Sequence, residues 1–120
     1  MGSIGPEALS TLRLIAFLEK TGRKNKSRVW RACAERLHAP ARSRSEMNLA
    51  RLDAITREGE IVAFPGKLLA AGDVKHSLVV GYFKASKTAV GKLNKAKCEA
   101  MPLAKLAERN PSGKKVRMVL

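Results

Sequence analysis

The 120-residue chain has few of the residues on which several protein classes depend. It has only two cysteines, Cys33 and Cys98, and no CxxC pair, so neither a zinc knuckle nor a secreted disulfide framework is supported. Aromatic residues make up only 4% of the chain, so the core must be built from Leu, Val, Ile and Ala. No apolar run approaches the length of a membrane span and no apolar signal core occurs at the N-terminus, which predicts a cytoplasmic protein.

Acidic residues are scarce too, with 10 Asp and Glu against 24 Lys and Arg and a net charge of +14 at pH 7. So much positive charge on a small fold repels itself unless a polyanion neutralises it. Nucleic acid is the usual polyanion, because each phosphate contact releases condensed counterions. A membrane surface would require a basic helix opposite an aromatic and apolar face, whereas the only tryptophan, Trp30, lies in a polar segment. The composition predicts a nucleic-acid partner and no membrane partner.

The apolar content of 45% predicts a folded chain, which we expect to form a single domain over residues 1–120. Its basic part, residues 7–57, is predicted to be mainly helical. Leu9, Leu12, Ile15 and Ala16 lie at helical spacing in the first helix, and Gly22 offers a C-terminal stop. The apolar periodicity predicts helices over residues 7–20, 28–38 and 44–57.

The second and third of these helices have candidate caps. Ser27 precedes the second helix, on which Trp30 and Cys33 belong to one apolar face and are expected to be buried. Ser43 and Glu46 have the spacing of a capping box, which would start the third helix.

Residues 58–120 are predicted to mix short strands and helices. Pro65 and Gly66 form a turn dipeptide after the first strand. We expect an α+β (irregular α/β) fold in which a basic helical N-terminal part is followed by short mixed strands and helices. The strand-like runs are residues 60–64, 77–83 and 116–120, and the helical ones are 87–97 and 103–109.

Positive charge is concentrated between Arg23 and Arg57. Ten basic residues and three acidic ones occur there, which accounts for half of the net charge of +14. Arginine predominates, and its guanidinium group binds phosphate bidentately and stacks on bases. Any one of these side chains could merely solvate a helix face, but a solubilising surface would interleave both signs. The cluster therefore favours folded RNA, which is recognised by shape and backbone.

Catalytic and metal sites are not indicated. Pro65, Gly66 and Lys67 resemble the end of a phosphate-binding loop, but Ile61 and Leu68 stand where that loop requires Gly and Ser or Thr. His38 and His76 have no acidic or Cys partner at ligand spacing, and they are expected to be surface or loop residues. We expect no enzyme activity, no cofactor, no metal and no small-molecule substrate.

Several motifs, in order along the chain, resemble the archaeal and eukaryotic large-subunit ribosomal protein eighteen family. The Pro-x-Arg-x-Arg-x-Glu-x-Asn-Leu-x-Arg element and the Pro-Gly-Lys element are the most specific, and the resemblance runs from about residue 9 to the end. Phe64 replaces an aliphatic residue of the family pattern, and Ala70 replaces a glycine. The matching segments are Trp30–Ala32, Ala34–Leu37, Pro40–Leu52, Val62–Gly72 and Asn110–Gly113.

This resemblance implies a structural protein that binds large-subunit ribosomal RNA beside neighbouring large-subunit ribosomal proteins. It also implies the irregular fold of the bacterial large-subunit protein fifteen, and the length, without eukaryote-like extensions, suggests an archaeal source. By position, the resemblance implies RNA contacts at Arg42, Arg44, Arg51 and Lys67. Charge alone adds Arg23, Lys24, Lys26, Arg28, Arg31, Lys114 and Lys115.

The alternative is a chromatin-like or regulatory DNA-binding protein, in which helices 28–38 and 44–57 would form a helix-turn-helix. The connection through Pro40 is long for that motif, and the downstream helix has no amide-rich face for reading bases.

Overall fold

The computed structural model describes residues 6–40 and 44–120. Within them lie the helices α1 (Pro6–Lys24), α2 (Arg28–His38), α3 (Leu49–Ile55), α4 (Lys87–Lys95) and α5 (Leu103–Arg109). The strands are β1 (Glu46–Asn48), β2 (Ile61–Leu69), β3 (Val79–Ala85), β4 (Glu99–Pro102) and β5 (Val116–Met118).

The five strands form one sheet in which every described pairing is parallel. β2 is central and pairs with β3 along one side, and β3 pairs in turn with β4. On its other side β2 pairs with β5 near its start, where Ile61 faces Val116, and with β1 near its end, where Lys67 faces Glu46. Parallel strands need helical crossovers, which place helices on both faces of the sheet.

Two apolar cores result, one on each face. On one face, α1, α2 and α5 cover the sheet through residues such as Leu18, Trp30 and Leu106, which are fully buried. On the other face, α3 and α4 pack through Leu52 and Leu93. Successive residues of β2 alternate between the two cores, which is the period-two alternation of a strand.

The α+β fold class is confirmed, as are several of its elements. α2 spans residues 28–38 as predicted, and Trp30 and Cys33 on its apolar face are buried. The final helix and the strand beginning at Val116 also form. β4 (Glu99–Pro102) was not predicted, because its four residues end in a proline and show no β-rich pattern.

The predicted single helix over residues 44–57 is wrong. Glu46 lies in β1, which pairs with β2, and α3 begins only at Leu49 after the N-cap residue Asn48. Glu46 is therefore not the third residue of a helix, while Ser43 lies outside the described residues. The same strand separates α2 from α3, so the helix-turn-helix of the DNA-binding alternative does not form.

The predicted turn at Pro65 and Gly66 is also wrong, because both residues lie inside β2. They form an irregularity in the pairing with β3, between Phe64 and Lys67. A side chain at Gly66 would collide with the backbone oxygen of Ser45 and the Phe64 ring, so glycine lets the chain before β1 approach closely. The strand resumes at once, since the backbone nitrogen of Lys67 donates to the Ser45 oxygen at 3.0 Å.

Helix α1 differs from its prediction at its C-terminal end and in some of the residues it buries. It continues past Gly22 to Lys24, and Gly22 lies buried against the side chain of Arg31 on α2. Leu9 and Leu12, which the periodicity assigned to the apolar face, are 42% and 47% exposed. Ile15, from the same predicted face, is buried as expected, and Thr11 lies on the buried side as well.

Candidate nucleic-acid interface

A tight connection joins α1 to α2 and presents basic side chains. The backbone nitrogen of Ser27 donates to the Gly22 oxygen at 2.8 Å, which closes the end of α1. Lys26 has a φ of 53°, a left-handed conformation that reverses the chain within this connection. Arg23, Lys24, Lys26 and Arg28 are all exposed around it.

The turn before β5 packs against this connection. The indole nitrogen of Trp30 donates to the Asn110 backbone oxygen at 2.9 Å, linking residues 80 positions apart. Gly113, with a φ of 66°, lies so close to Ser27 and Val29 that a side chain at this position would collide with both. This contact brings the C-terminal turn, and the lysines that follow it, to the start of α2.

The two segments together form a surface that we call the basic end surface. All seven of its basic side chains are exposed, and none forms a hydrogen bond or ion pair with another residue in the described part of the chain. Arg28 and Arg31 are one helical turn apart on α2, so they share a face. The surface comprises Arg23, Lys24, Lys26, Arg28, Arg31, Lys114 and Lys115.

A second basic group lies where β1, β2 and β3 run side by side. Arg44 is half-buried, and its Nη2 donates to the Leu37 backbone oxygen at 3.0 Å. The Arg44 guanidinium also lies 5.2 Å from the centroid of the Phe83 ring, and Lys84 Nζ lies 5.4 Å from the same centroid. Lys67 is exposed and is the register partner of Lys84 on one side and of Glu46 on the other.

Sequence reasoning missed Phe83 and Lys84 as members of this group. The β-rich run 77–83 identified a strand, but the pairing that sets Lys84 beside Lys67 is not visible in the sequence. Of the remaining predicted residues, Arg51 lies apart from both groups. Arg51, on α3, donates to the backbone oxygen of Leu120 at 3.2 Å, and Arg42 lies outside the described residues.

Several carboxylates form ion pairs with Lys or Arg side chains that lie outside the basic end surface. Arg109 Nη1 lies 2.7 Å from Glu99 Oε2, Arg117 Nε lies 3.0 Å from Glu60 Oε2 and Lys92 Nζ lies 3.7 Å from Asp73 Oδ1. Two acidic residues border the surface: Glu35 lies one helical turn beyond Arg31 on α2, and Glu108 lines a depression beside Lys24. The local field is therefore strongly positive where the seven unpaired cations gather.

The residues that could have carried other chemistry are held in structural roles. Burial raises the pKa of the Cys33 thiol to about 12, so Cys33 stays protonated and unreactive. His76 lies in a loop as expected but is half-buried and not isolated: its Nδ1 lies 3.1 Å from Asp53 Oδ1 and its Nε2 2.9 Å from Thr56 Oγ1.

The structure describes residues 6–40 and 44–120. No group of three or more His, Cys, Asp or Glu side chains there is arranged to hold a metal ion. No helix in these ranges is long and apolar enough to cross a membrane. The fold and surface together define a small, strongly basic α+β protein in which seven of the unpaired cations of the described residues share one surface.

Comparisons with known proteins show which family the chain resembles. The chain is 37% identical over 112 residues to the large ribosomal subunit protein eL18 of Pyrobaculum aerophilum, covering 92% of each chain. It is 36% identical over 120 residues to the eL18 protein of Methanopyrus kandleri, covering 96% of this chain and 94% of the relative. The eL18 protein of Thermoplasma acidophilum is 34% identical over 105 residues, or 88% of each chain. No protein-family profile matches.

The chain therefore belongs to the eL18 family of large ribosomal subunit proteins. The resemblance seen in the sequence motifs is confirmed.

Proposed function

We propose that the chain is a structural constituent of the large ribosomal subunit in the cytoplasm, where it binds and stabilises folded large-subunit ribosomal RNA without catalysis. The observation that carries this proposal is the basic end surface, in which two segments far apart in sequence meet and leave seven cations unpaired. The names of the archaeal relatives point to the large ribosomal subunit as the particle, and the basic end surface provides the chemistry for binding a polyanion.

The position of the seven cations favours contact with an RNA backbone. They project from a helix end, a helix face and a turn, so they can reach phosphates on more than one strand of a folded RNA. Arg23, Arg28 and Arg31 add guanidinium groups, which bind phosphate bidentately. Arg42, Arg44, Arg51 and Lys67 are proposed as further contacts, with Arg44 also holding its neighbouring elements together through Leu37 and Phe83.

Neighbouring large-subunit ribosomal proteins are the second class of partner proposed. The exposed Leu9 and Leu12 on α1 provide an apolar surface for such a contact. Two leucines on one helix make this surface smaller than the basic one, so RNA contributes most of the binding in this proposal.

The test compares RNA with DNA over a range of salt concentration. The chain is titrated against transcribed large-subunit ribosomal RNA domains and against duplex DNA of equal length between roughly 50 and 200 mM salt. We expect one RNA domain to bind most tightly, with affinity falling linearly on a log–log plot against salt. Sedimentation with large ribosomal subunits is measured in parallel. Sequence-selective binding to DNA, together with failure to sediment with the subunits, contradicts the proposal and favours the DNA-binding alternative.

A further inference from the structure

A groove runs between α1, the end of β3 and the start of α5. Its volume is about 430 Å³, within the range of roughly 300–1,000 Å³ typical of small-molecule pockets. Its floor and walls are mostly apolar and include Phe17 and Phe83, both half-buried and packed partly against the core beneath α1 and α5. Tyr82 also lines it, but its side chain packs against the core on the other face of the sheet. Two of the few aromatic side chains in this chain are therefore only partly covered by the core and lie together at one surface site.

The rim of this groove is cationic. Arg13 and Lys84 are exposed lining residues, and no carboxylate lines it among the described residues. Lys84 also lies over the Phe83 ring, as does Arg44 of the second basic group. An apolar aromatic floor beneath a positive rim matches a planar base attached to a phosphate, and it disfavours another basic protein.

The groove is also connected to the basic end surface. Phe17 borders it on one side and, on the other, borders a second depression that reaches Lys24 and Pro111. A nucleotide chain bound at the basic end surface could therefore follow α1 towards the aromatic groove. Lys20 lines the path between them, with Glu108 opposite as the only carboxylate among its described lining residues.

We infer that this groove binds an unpaired nucleotide of the RNA, with its base against Phe17 and Phe83 and its flanking phosphates at Arg13 and Lys84. The inference rests on the proposed function and narrows it. The basic end surface binds backbone in any folded RNA, whereas the groove selects a nucleotide that is free of base pairing. Base–aromatic stacking tolerates every base, so the site reads an unpaired position and not its sequence.

The first experiment measures affinity for two RNA hairpins that have the same stem, one with an unpaired loop of uridines and one fully paired except for a minimal closing loop. Phe17→Leu keeps an apolar side chain but removes the ring, and we expect it to lower the preference for the looped probe by roughly tenfold. Arg13→Ala, at an exposed position, should weaken the same preference without disturbing the fold. Leu12→Ala is the control, because Leu12 is exposed on the same helix outside the groove.

The outcomes separate this inference from the proposed function. The double variant Lys114→Ala with Lys115→Ala should weaken both probes equally. If Phe17→Leu and Arg13→Ala keep the wild-type preference while both probes still bind, the groove inference is wrong and the proposed function stands. If wild-type protein binds neither these probes nor the ribosomal RNA domains, both fail.

A second experiment locates the base directly. A looped probe carrying 4-thiouridine is photo-crosslinked to the protein and digested with trypsin. Crosslinks on peptides 14–20 or 76–84 support the inference, while crosslinks confined to the basic end surface overturn it. In purified large subunits, a photoreactive amino acid at Ser10, an exposed lining residue, should link to RNA. Linkage to another ribosomal protein instead would assign the groove to a protein partner and contradict the inference.

Discussion

The indole nitrogen of Trp30 and the backbone oxygen of Asn110 are joined by a 2.9 Å hydrogen bond. Trp30 is fully buried on α2, and Asn110 ends α5 as its C-cap residue. The bond satisfies a donor that would otherwise be buried without a partner, and it holds the C-terminal turn against the start of α2. The basic end surface depends on this arrangement, because Lys114 and Lys115 follow directly from the turn.

Replacing Trp30 with phenylalanine tests this bond. Trp30→Phe keeps an aromatic ring in the core but removes the donor, so the free energy of unfolding should fall by about 1–3 kcal/mol. Asn110→Ala is the matched control, since the acceptor is a backbone oxygen that the substitution leaves in place. Chemical denaturation of both variants measures the effect. An equal loss of stability in the two would show that the Asn110 side chain, and not the indole bond, secures the turn.

The salt dependence of RNA binding tests the basic end surface. Lys114→Ala with Lys115→Ala removes two phosphate contacts, so the slope of log affinity against log salt should flatten by roughly 1.5 to 2. Lys87→Ala with Lys95→Ala removes the same charge from α4, on the opposite face of the sheet, where both lysines are exposed. That control should change the slope by much less. Equal flattening in both double variants would mean that net charge, and not this surface, sets the affinity.

Arg44 is expected to affect stability more than RNA affinity. Its Nη2 donates to the last turn of α2 at Leu37, and its guanidinium lies over Phe83 on β3. Arg44→Ala removes both contacts and should lower the free energy of unfolding by about 1–3 kcal/mol. Arg51→Ala, at an exposed position on α3, is the comparison and should lower the free energy of unfolding by much less. Denaturation and RNA titration of the same samples measure the two effects. A large loss of affinity from Arg44→Ala at unchanged stability would instead identify Arg44 mainly as an RNA contact.

Local patterns in the sequence predicted the elements that depend on local interactions. α2 has an uninterrupted apolar stripe through Trp30, Cys33 and Leu37, so its bounds and its buried face were predictable. β1 has no such signature. It is three residues long, and it exists because Met47 pairs with Leu68 on β2, a contact between segments distant in sequence. The capping-box spacing of Ser43 and Glu46 therefore predicted a helix start that tertiary pairing overrides.

The candidate nucleic-acid interface also has a part that the sequence reveals and a part that depends on tertiary contacts. The charges of Lys26 and Lys114 are visible in the sequence, but their proximity depends on the contact of Gly113 with Ser27 and Val29. The aromatic groove is harder to predict from the sequence than the basic charges. Phe17 and Phe83 lie on separate elements, and only the packing of α1 beside β3 and α5 brings them together.

The ion pair between Glu60 and Arg117 should make stability depend on pH. Arg117 Nε donates to Glu60 Oε2 at 3.0 Å and its Nη2 to Oε1 at 3.1 Å, and the backbone nitrogen of Arg57 adds a bond at 2.7 Å. The bond from Arg117 is the main cause that lowers the pKa of the Glu60 carboxyl below its ordinary value of 4.5. Because the folded state favours the ionised form, this stabilisation is complete above the pKa of the unfolded chain and is lost as the pH falls through the lower, folded value.

Glu60→Gln should therefore be less stable than the wild type at pH 7, and the difference should shrink as the pH falls below about 4.5. The pair links the loop before β2 to β5 at the surface, so the difference at pH 7 should be no more than about 1 kcal/mol. Urea denaturation of both proteins across this pH range measures it, with Glu108→Gln at an exposed position as the control. A difference that stays constant between neutral and acid pH would show that the ion pair contributes nothing to stability, and that shape or packing at Glu60 accounts for the change.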